Sequence, residues 1–393
     1  MKLFQVAKYY KPLNSAQAFQ AVKLTDALKN VGLDVVSFVG GRDGKKTEIV
    51  GNVVYIPYTE TFVNQKVFSK MNRGIKELNQ LYSANSWVVD TTNKLVELYK
   101  PVKTDVILTQ STPFDTHFVG DKIKKDYGSK WIAAFSDPFP ISIAPEPYKG
   151  ANHIPFISKI QKNKLRNVLE RADHILVSSL YAYNLMCEFC SVKVQDKYSI
   201  IPHIGLDVNR LNHSENKNGW IVHTGNLTKE RVVDEFFQAV KKVIIDNKEF
   251  KGVKFIGRVS NLLIQKTQDY QIQDFITLKG EVPQDEIYRE VEACSGLLAI
   301  EAKMSTSPFL PSKFADYATL SKPIICLTPQ KSEMRNYLNK FGGGIACDFN
   351  SEEIASAIND VVSGRCKNSK DLENYFTSQN VGRIYNNIIS KVS

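Results

Sequence analysis

The sequence predicts an α/β protein built from two successive doubly wound domains facing a central cleft. Three observations carry this. Short apolar runs of strand length alternate with amphipathic stretches of helix length from the first residues onward. The strand-like runs are apolar on both sides of the pleat, as in a parallel sheet covered by helices on both faces. The alternation also breaks once, near Asp207, with a polar linker end over 212–219, and then restarts. A chain of 393 residues has room for two such domains, each with its own core.

In the first half, strands are expected over 3–7, 35–39, 53–56, 106–109, 131–135, 174–178 and 199–202. Helical patterns fill 16–30, 72–99 and 118–127. In the second half, the strands fall over 220–224, 253–256, 276–278, 296–300 and 323–327, with helices over 232–246, 284–293, 334–340 and 351–363. A last helical stretch, 378–392, follows. The expected division is an N-terminal domain over 1–205, a second domain over 206–377, and a C-terminal helix over 378–393 returning to the first. Doubly wound domains bind ligands outside the carboxyl ends of their strands, which places the chemistry there.

The 43% hydrophobic and 23% charged fractions are those of a globular protein, and no apolar run is long enough to cross a bilayer. The opening MKLFQVAKYY reads as a first strand and not as a signal peptide, so the expected location is cytoplasmic. The six cysteines are scattered except for Cys187-Glu188-Phe189-Cys190, a single CxxC on a helical segment. Without a second pair it reads as structural, not as a metal or redox site. The net charge of +10 is lopsided: Lys+Arg less Asp+Glu is 27 − 18 = +9 through Leu206 and 24 − 23 = +1 beyond it. The basic residues are densest at Lys122, Lys124, Lys125 and Lys130, and again at Lys159, Lys162, Lys164 and Arg166. Such a bias fits an anionic membrane surface or a lipid diphosphate, or simply a solvated charged helix face. Nucleic acid fits least, since no aromatic residues interleave with the charge.

The chemistry concentrates in Pro311-Ser312-Lys313-Phe314-Ala315-Asp316-Tyr317, which reads as a short helix before the strand 323–327. Proline suits a helix start, and Ser312 and Lys313 add a hydroxyl and a cation beside it. That combination holds a phosphate or diphosphate. Asp316, one turn on, is placed to take ribose hydroxyls.

With these residues the chain resembles the retaining family-4 glycosyltransferases of the bacterial surface-polysaccharide type, which have the GT-B fold. Four further stretches carry the resemblance. Tyr9 to Ala16 is similar to the first strand and its acceptor-side loop, with Asn14 and Ser15 where the family carries a glycine pair. Phe135-Ser136-Asp137-Pro138-Phe139 resembles an Asp-Pro element near the transferred sugar, which makes Asp137 the candidate catalytic or acceptor-orienting carboxylate; otherwise it caps the turn before Pro138. Ile201-Pro202-His203-Ile204-Gly205-Leu206-Asp207 stands at the family's interdomain crossing. His223 to Arg231 resembles the turn after the first strand of the donor domain. There Asn226 takes the usual Arg position, and Arg231 and Lys229 supply the cations. Asp316 matches the second acid of the family's Glu-x7-Glu element. Eight residues earlier stands Pro308, so backbone amides over 306–309 are the expected substitute for the first, with Glu301 nearby but at another spacing. Pro283, in Lys279-Gly280-Glu281-Val282-Pro283, matches the loop framing the nucleobase.

The resemblance implies a retaining hexosyltransferase. It would move a sugar from a nucleotide-diphosphate sugar, UDP-sugar preferred, to a glycan or lipid-linked acceptor in lipopolysaccharide or capsule synthesis. It would sit in the cytoplasm, peripherally at the inner face of the plasma membrane. No Asp-x-Asp motif occurs, so neither metal nor other cofactor is expected. Two alternatives remain at this stage. One is a catalytically inactive GT-B subunit that binds a partner or a nucleotide. The other is a nucleotide-sugar 2-epimerase, which needs grouped His, Asp and Glu residues that the six histidines do not display.

Overall fold

A computed structural model describes residues 1–41, 46–58, 77–150, 154–193, 196–207 and 218–393. The first residues of the helix expected over 72–99, and most of the linker end expected over 212–219, lie outside them. The chain separates into two compact units: Met1–Ala144 with Tyr148–His203 and Ser378–Ser393, and Ile204–Thr377 with Pro145–Pro147.

The first unit is built on an eight-stranded sheet in the order β3-β4-β2-β1-β5-β6-β7-β8. Its strands are β1 (Leu3–Ala7), β2 (Val35–Gly40), β3 (Glu48–Val50), β4 (Val53–Ile56), β5 (Val106–Ser111), β6 (Lys130–Phe135), β7 (His174–Val177) and β8 (Tyr198–Ile200). All neighbours pair in parallel except the β3–β4 hairpin. The helices are α1 (Ala16–Asn30), α2 (Ser86–Tyr99), α3 (Thr116–Tyr127), α4 (Pro155–Arg171), α5 (Leu180–Cys190) and, from the chain's end, α13 (Ser378–Val392). β1 is fully buried, and its Phe4 and Val6 join Phe38, Trp87 and Trp131 in one core. α13 packs on α1 at Gly382, where an added Cβ would lie 2.7 Å from the Ala27 carbonyl oxygen.

The helix expected over 72–99 is shorter than its pattern. Residues 77–80 are helical, 81–85 interrupt the pattern, and Asn85 caps α2, its Oδ1 accepting from Val88 N at 2.9 Å. Cys187 and Cys190 are both buried on α5, and burial pushes the Cys190 thiol up to about 12. A thiol held in that form is inert. Several of the basic residues are already engaged within the unit. Lys122 meets Asp126 (3.0 Å), Lys124 meets Asp173 (2.8 Å), and Arg166 donates twice to the Cys190 carbonyl (3.0 and 2.7 Å).

The second unit holds a six-stranded parallel sheet in the order β11-β10-β9-β12-β13-β14. Its strands are β9 (Trp220–Thr224), β10 (Gly252–Ile256), β11 (Ile276–Gly280), β12 (Gly296–Ile300), β13 (Ile324–Leu327) and β14 (Gly344–Cys347). The helices are α6 (Asp234–Asp246), α7 (Asn261–Asp269), α8 (Gln284–Ala293), α9 (Ser312–Ala318), α10 (Glu333–Phe341), α11 (Ser351–Val362) and α12 (Lys370–Phe376). Numbered by appearance the order is 3-2-1-4-5-6, the Rossmann arrangement, so its topological switch lies between β9 and β12. In the first unit the switch lies between β1 and β5. Among the described residues no helix is long and apolar enough to cross a membrane.

Candidate functional site

At the switch of the second unit, β9 ends in Thr224 and turns at Gly225, whose φ of +85° suits glycine. The turn is held from two sides. Gly225 N donates to the Ile256 carbonyl at 2.5 Å, and Thr224 N donates to the Tyr317 hydroxyl at 2.7 Å. Tyr317 is buried on α9, so this bond fixes α9 against the end of β9. The same packing brings Lys313, the second residue of α9, onto the turn: a Cβ added at Gly225 would lie 2.5 Å from the Lys313 Nζ. Gly225→Ala therefore displaces this ammonium and forces a strained φ. We expect it to cost roughly 1 kcal/mol or more of stability, read by denaturant unfolding.

Lys313 is partly buried. Its pKa is pushed down to about 8, chiefly by burial and then by the Arg231 guanidinium, against the attraction of Asp316. Arg231 ends a short 3-10 turn, Lys229–Arg231, that follows the β9 loop. Among the described residues no ion pair engages either side chain. Two cations lie within electrostatic reach of each other, with Asp316 attracting Lys313 and Glu301 acting on Arg231, and an anion bound between them would relieve their repulsion.

His223, on β9, is buried beside them. Its Nδ1 lies 2.9 Å from the Leu298 carbonyl, which makes it the donor, and its Nε2 has no partner among the described residues. Burial, with Lys313 and Arg231 adding to it, keeps this imidazole neutral. Across the switch, Glu301 follows β12 and is 2% exposed. Its Oε1 accepts from the Ser307 hydroxyl at 2.6 Å and its Oε2 from Thr328. Burial pushes this carboxyl up to about 7, against the two hydroxyls and Arg231.

The neighbouring loops are stacked on the same edge. Gly257 (φ +131°) leaves room for nothing larger, since a Cβ there would lie 2.6 Å from the Gly225 backbone. Gly257 N donates to the Gly280 carbonyl at 2.6 Å, which draws the loop after β11 alongside. Arg258 bridges outward: its N donates to Asn226 Oδ1 (3.2 Å) and its guanidinium to Glu281 (3.0 Å).

No protein-family model matches the chain, and no curated protein sequence matches it. Solved structures do. HepE of Anabaena in complex with UDP aligns with a TM-score of 0.65 at 12% identity, over 100% of this chain and 100% of that one. The lipopolysaccharide outer core galactosyltransferase WaaB aligns with a TM-score of 0.64 at 13% identity, over 100% and 99%. Sucrose-phosphate synthase from Thermosynechococcus elongatus gives 0.63 at 12%, over 100% and 94%.

The fold is GT-B.

On this GT-B framework the residues singled out in the sequence fall into three groups. Lys313, Arg231 and Asp316 come together at the β9 end, with Ser312 opening α9. The seven-residue α9 is short, so the cations and not the helix terminus dominate the local field. Asn226, Lys229 and Pro283 are exposed on the surrounding loops, and Pro283 precedes α8 with its carbonyl accepting from Glu286 N at 3.0 Å. Asn14, Ser15 and Asp137 belong to the first unit. Ser15 caps α1, its hydroxyl accepting from Ala18 N at 3.2 Å, and Asn14 before it is exposed. Asp137 is partly buried just beyond β6, where Ser178 fixes the preceding carbonyl of Ser136 at 2.5 Å.

Gly257, Arg258 and Lys8 stand in no motif that marks them as site residues. The signal for the first two was a buried strand running straight into Gly-Arg. Lys8 follows β1 at the switch of the first unit. Its ammonium lies 2.7 Å from Asp115 and over the rings of Trp87 (5.0 Å) and Tyr58 (5.2 Å). Among the described residues no three His, Cys, Asp or Glu side chains gather to hold a metal ion.

Proposed function

We propose that this protein is a glycosyltransferase. It moves a sugar from a nucleotide-diphosphate sugar, UDP-sugar preferred, to a glycan or lipid-linked acceptor. The observation that carries the reading is the Lys313–Arg231 pair at the switch of a Rossmann-ordered sheet, two cations close enough that Arg231 lowers the Lys313 pKa despite Asp316. Support comes from HepE, of the same fold, whose structures hold UDP, UDP and glucose, or UDP-glucose.

Glycosyl transfer leaves negative charge on the departing diphosphate, and fixed cations in a poorly hydrated setting stabilise it. Lys313 and Arg231 take that role, with Lys229 at the margin. Ser312 adds a hydroxyl, Asp316 holds the ribose, and the loop ending at Pro283 frames the base, with Asn226 beside it. Transfer is retaining and needs no metal: the leaving phosphate itself helps deprotonate the acceptor on the same face. Asp137 orients the acceptor or serves as a weak base, and the loop of Asn14 and Ser15 receives it. The setting is cell-surface polysaccharide assembly in the cytoplasm, peripheral to the plasma membrane, where the basic first half favours an anionic surface and not nucleic acid.

Turnover tests this. Incubation with a panel of UDP-, GDP- and TDP-sugars is expected to release one nucleoside diphosphate, with the anomeric configuration kept in the product. Release from none of them, with or without membrane extract as acceptor source, would count against an enzyme.

A further inference from the structure

The loop from β12 to α9 has no regular structure and delivers Lys313 and Asp316 to the site. One side chain organises it. Glu301 accepts from Ser307 on one oxygen and from Thr328 on the other, and Thr328 follows β13. Each hydroxyl has one proton, and each gives it to this carboxylate. Ser307 then accepts from Phe309 N (3.2 Å), while its own N–H reaches the Lys331 carbonyl (2.8 Å). Phe309 stands two residues before Pro311, which caps α9. A connected series thus runs from the end of β13 through Glu301 and Ser307 to the residues that start α9. With both oxygens occupied and 2% exposed, Glu301 is not placed to touch a substrate.

We infer that Glu301 is a positioning residue: its ionised carboxylate, gripping Ser307 and Thr328, sets the loop that presents Lys313 to an anionic ligand. The inference rests on the donor-pocket reading above for its ligand, but its structural half stands alone. Among the described residues two titratable or charged groups act on Glu301: Arg231, which attracts the ionised form, and Cys326 on β13, whose thiol burial keeps protonated. The ionised form serves both hydroxyls as donors, whereas the protonated form must itself donate to one of them, so the grip loosens as pH falls.

Glu301→Gln keeps the shape and removes the charge. With UDP as the probe in calorimetric titration, this variant is expected to bind roughly tenfold more weakly than the wild type near pH 8 and almost equally near pH 5.5. A carboxylate acting only through its charge gives the opposite: removing an anion beside Arg231 would tighten UDP binding near pH 8. That result, or an equal loss at both pH values, overturns the inference. Hydrogen exchange on the ligand-free protein near pH 8 separates this from the functional reading. The amides of Ser307 and Phe309 are expected to exchange roughly tenfold faster in Glu301→Gln and in Ser307→Ala, with β9 and β10 unchanged. Unchanged exchange at both amides would overturn the inference even if UDP binds. Faster exchange would uphold the loop's anchoring even if UDP does not.

Discussion

Lys313→Ala is expected to abolish most nucleoside diphosphate binding. Truncating one partner of a desolvated charge pair costs about 3 kcal/mol, which is roughly 100-fold in affinity. The pH dependence identifies the group responsible. In the free protein burial and Arg231 hold the Lys313 pKa down to about 8, so the ammonium is half deprotonated there. An anion favours the charged form and raises this pKa in the complex. Binding therefore takes up a proton above about pH 8, and affinity falls roughly tenfold per pH unit from that point until the pKa of the complex is reached. Calorimetry in buffers of different ionisation enthalpy counts that proton. In Lys313→Ala both the uptake and the alkaline limb should vanish. An alkaline limb that survives the substitution assigns the titration to another group.

The second large effect concerns stability. Lys8 and Asp115 form an ion pair at 2.7 Å, with Lys8 9% and Asp115 0% exposed. Asn85 Nδ2 donates to the same Asp115 oxygen at 3.1 Å, and the other oxygen has no partner among the described residues. Burial already raises the Asp115 pKa, and Lys8 is the main force opposing that. Lys8→Ala therefore leaves a buried carboxylate without its counter-charge and should cost about 3–5 kcal/mol in denaturant unfolding. The sign with pH follows from a folded-state pKa raised above the unfolded value. The protonated acid is tolerated, so the deficit is smallest at acid pH and grows as pH rises through the folded-state pKa. Replacing both residues by apolar ones, Lys8→Met with Asp115→Leu, should recover most of the loss, because the pair's expense is its desolvation. If the double variant is as unstable as the single one, the pair does more than neutralise itself.

The strands of both sheets were legible because each is a short apolar run between turn residues, as Val35–Gly40 and Gly296–Ile300 illustrate. Two were not: β3, whose three residues are all exposed, and β14, because Gly342 and Gly343 lead into it with positive φ and the stretch reads as a turn. Helix ends were blurred where capping decides them: the pattern over 72–99 is amphipathic throughout, and Asn85 starts the helix only because its side chain turns back to Val88 N. That Ser312 and Lys313 open a short helix was readable locally. Its meeting with Gly225 was not, since those residues are brought together by β9 and α9 packing and by the Tyr317 hydroxyl. Glu301 looked misplaced by spacing along the chain. The sheet shows why spacing misleads, for the end of β12 lies beside the end of β13, where Thr328 waits. Lys8 is an ordinary lysine in sequence, and its partner is 107 residues away.

The central claim is that the switch of the second sheet binds a nucleoside diphosphate through Lys313. The measurement that tests it most directly is calorimetric titration of UDP, GDP, TDP, CDP and ADP into the wild type and Lys313→Ala at near-neutral pH. One diphosphate should bind the wild type, far more tightly than its monophosphate, and be lost in the variant. Binding of none, or binding that Lys313→Ala leaves unchanged, would contradict the account.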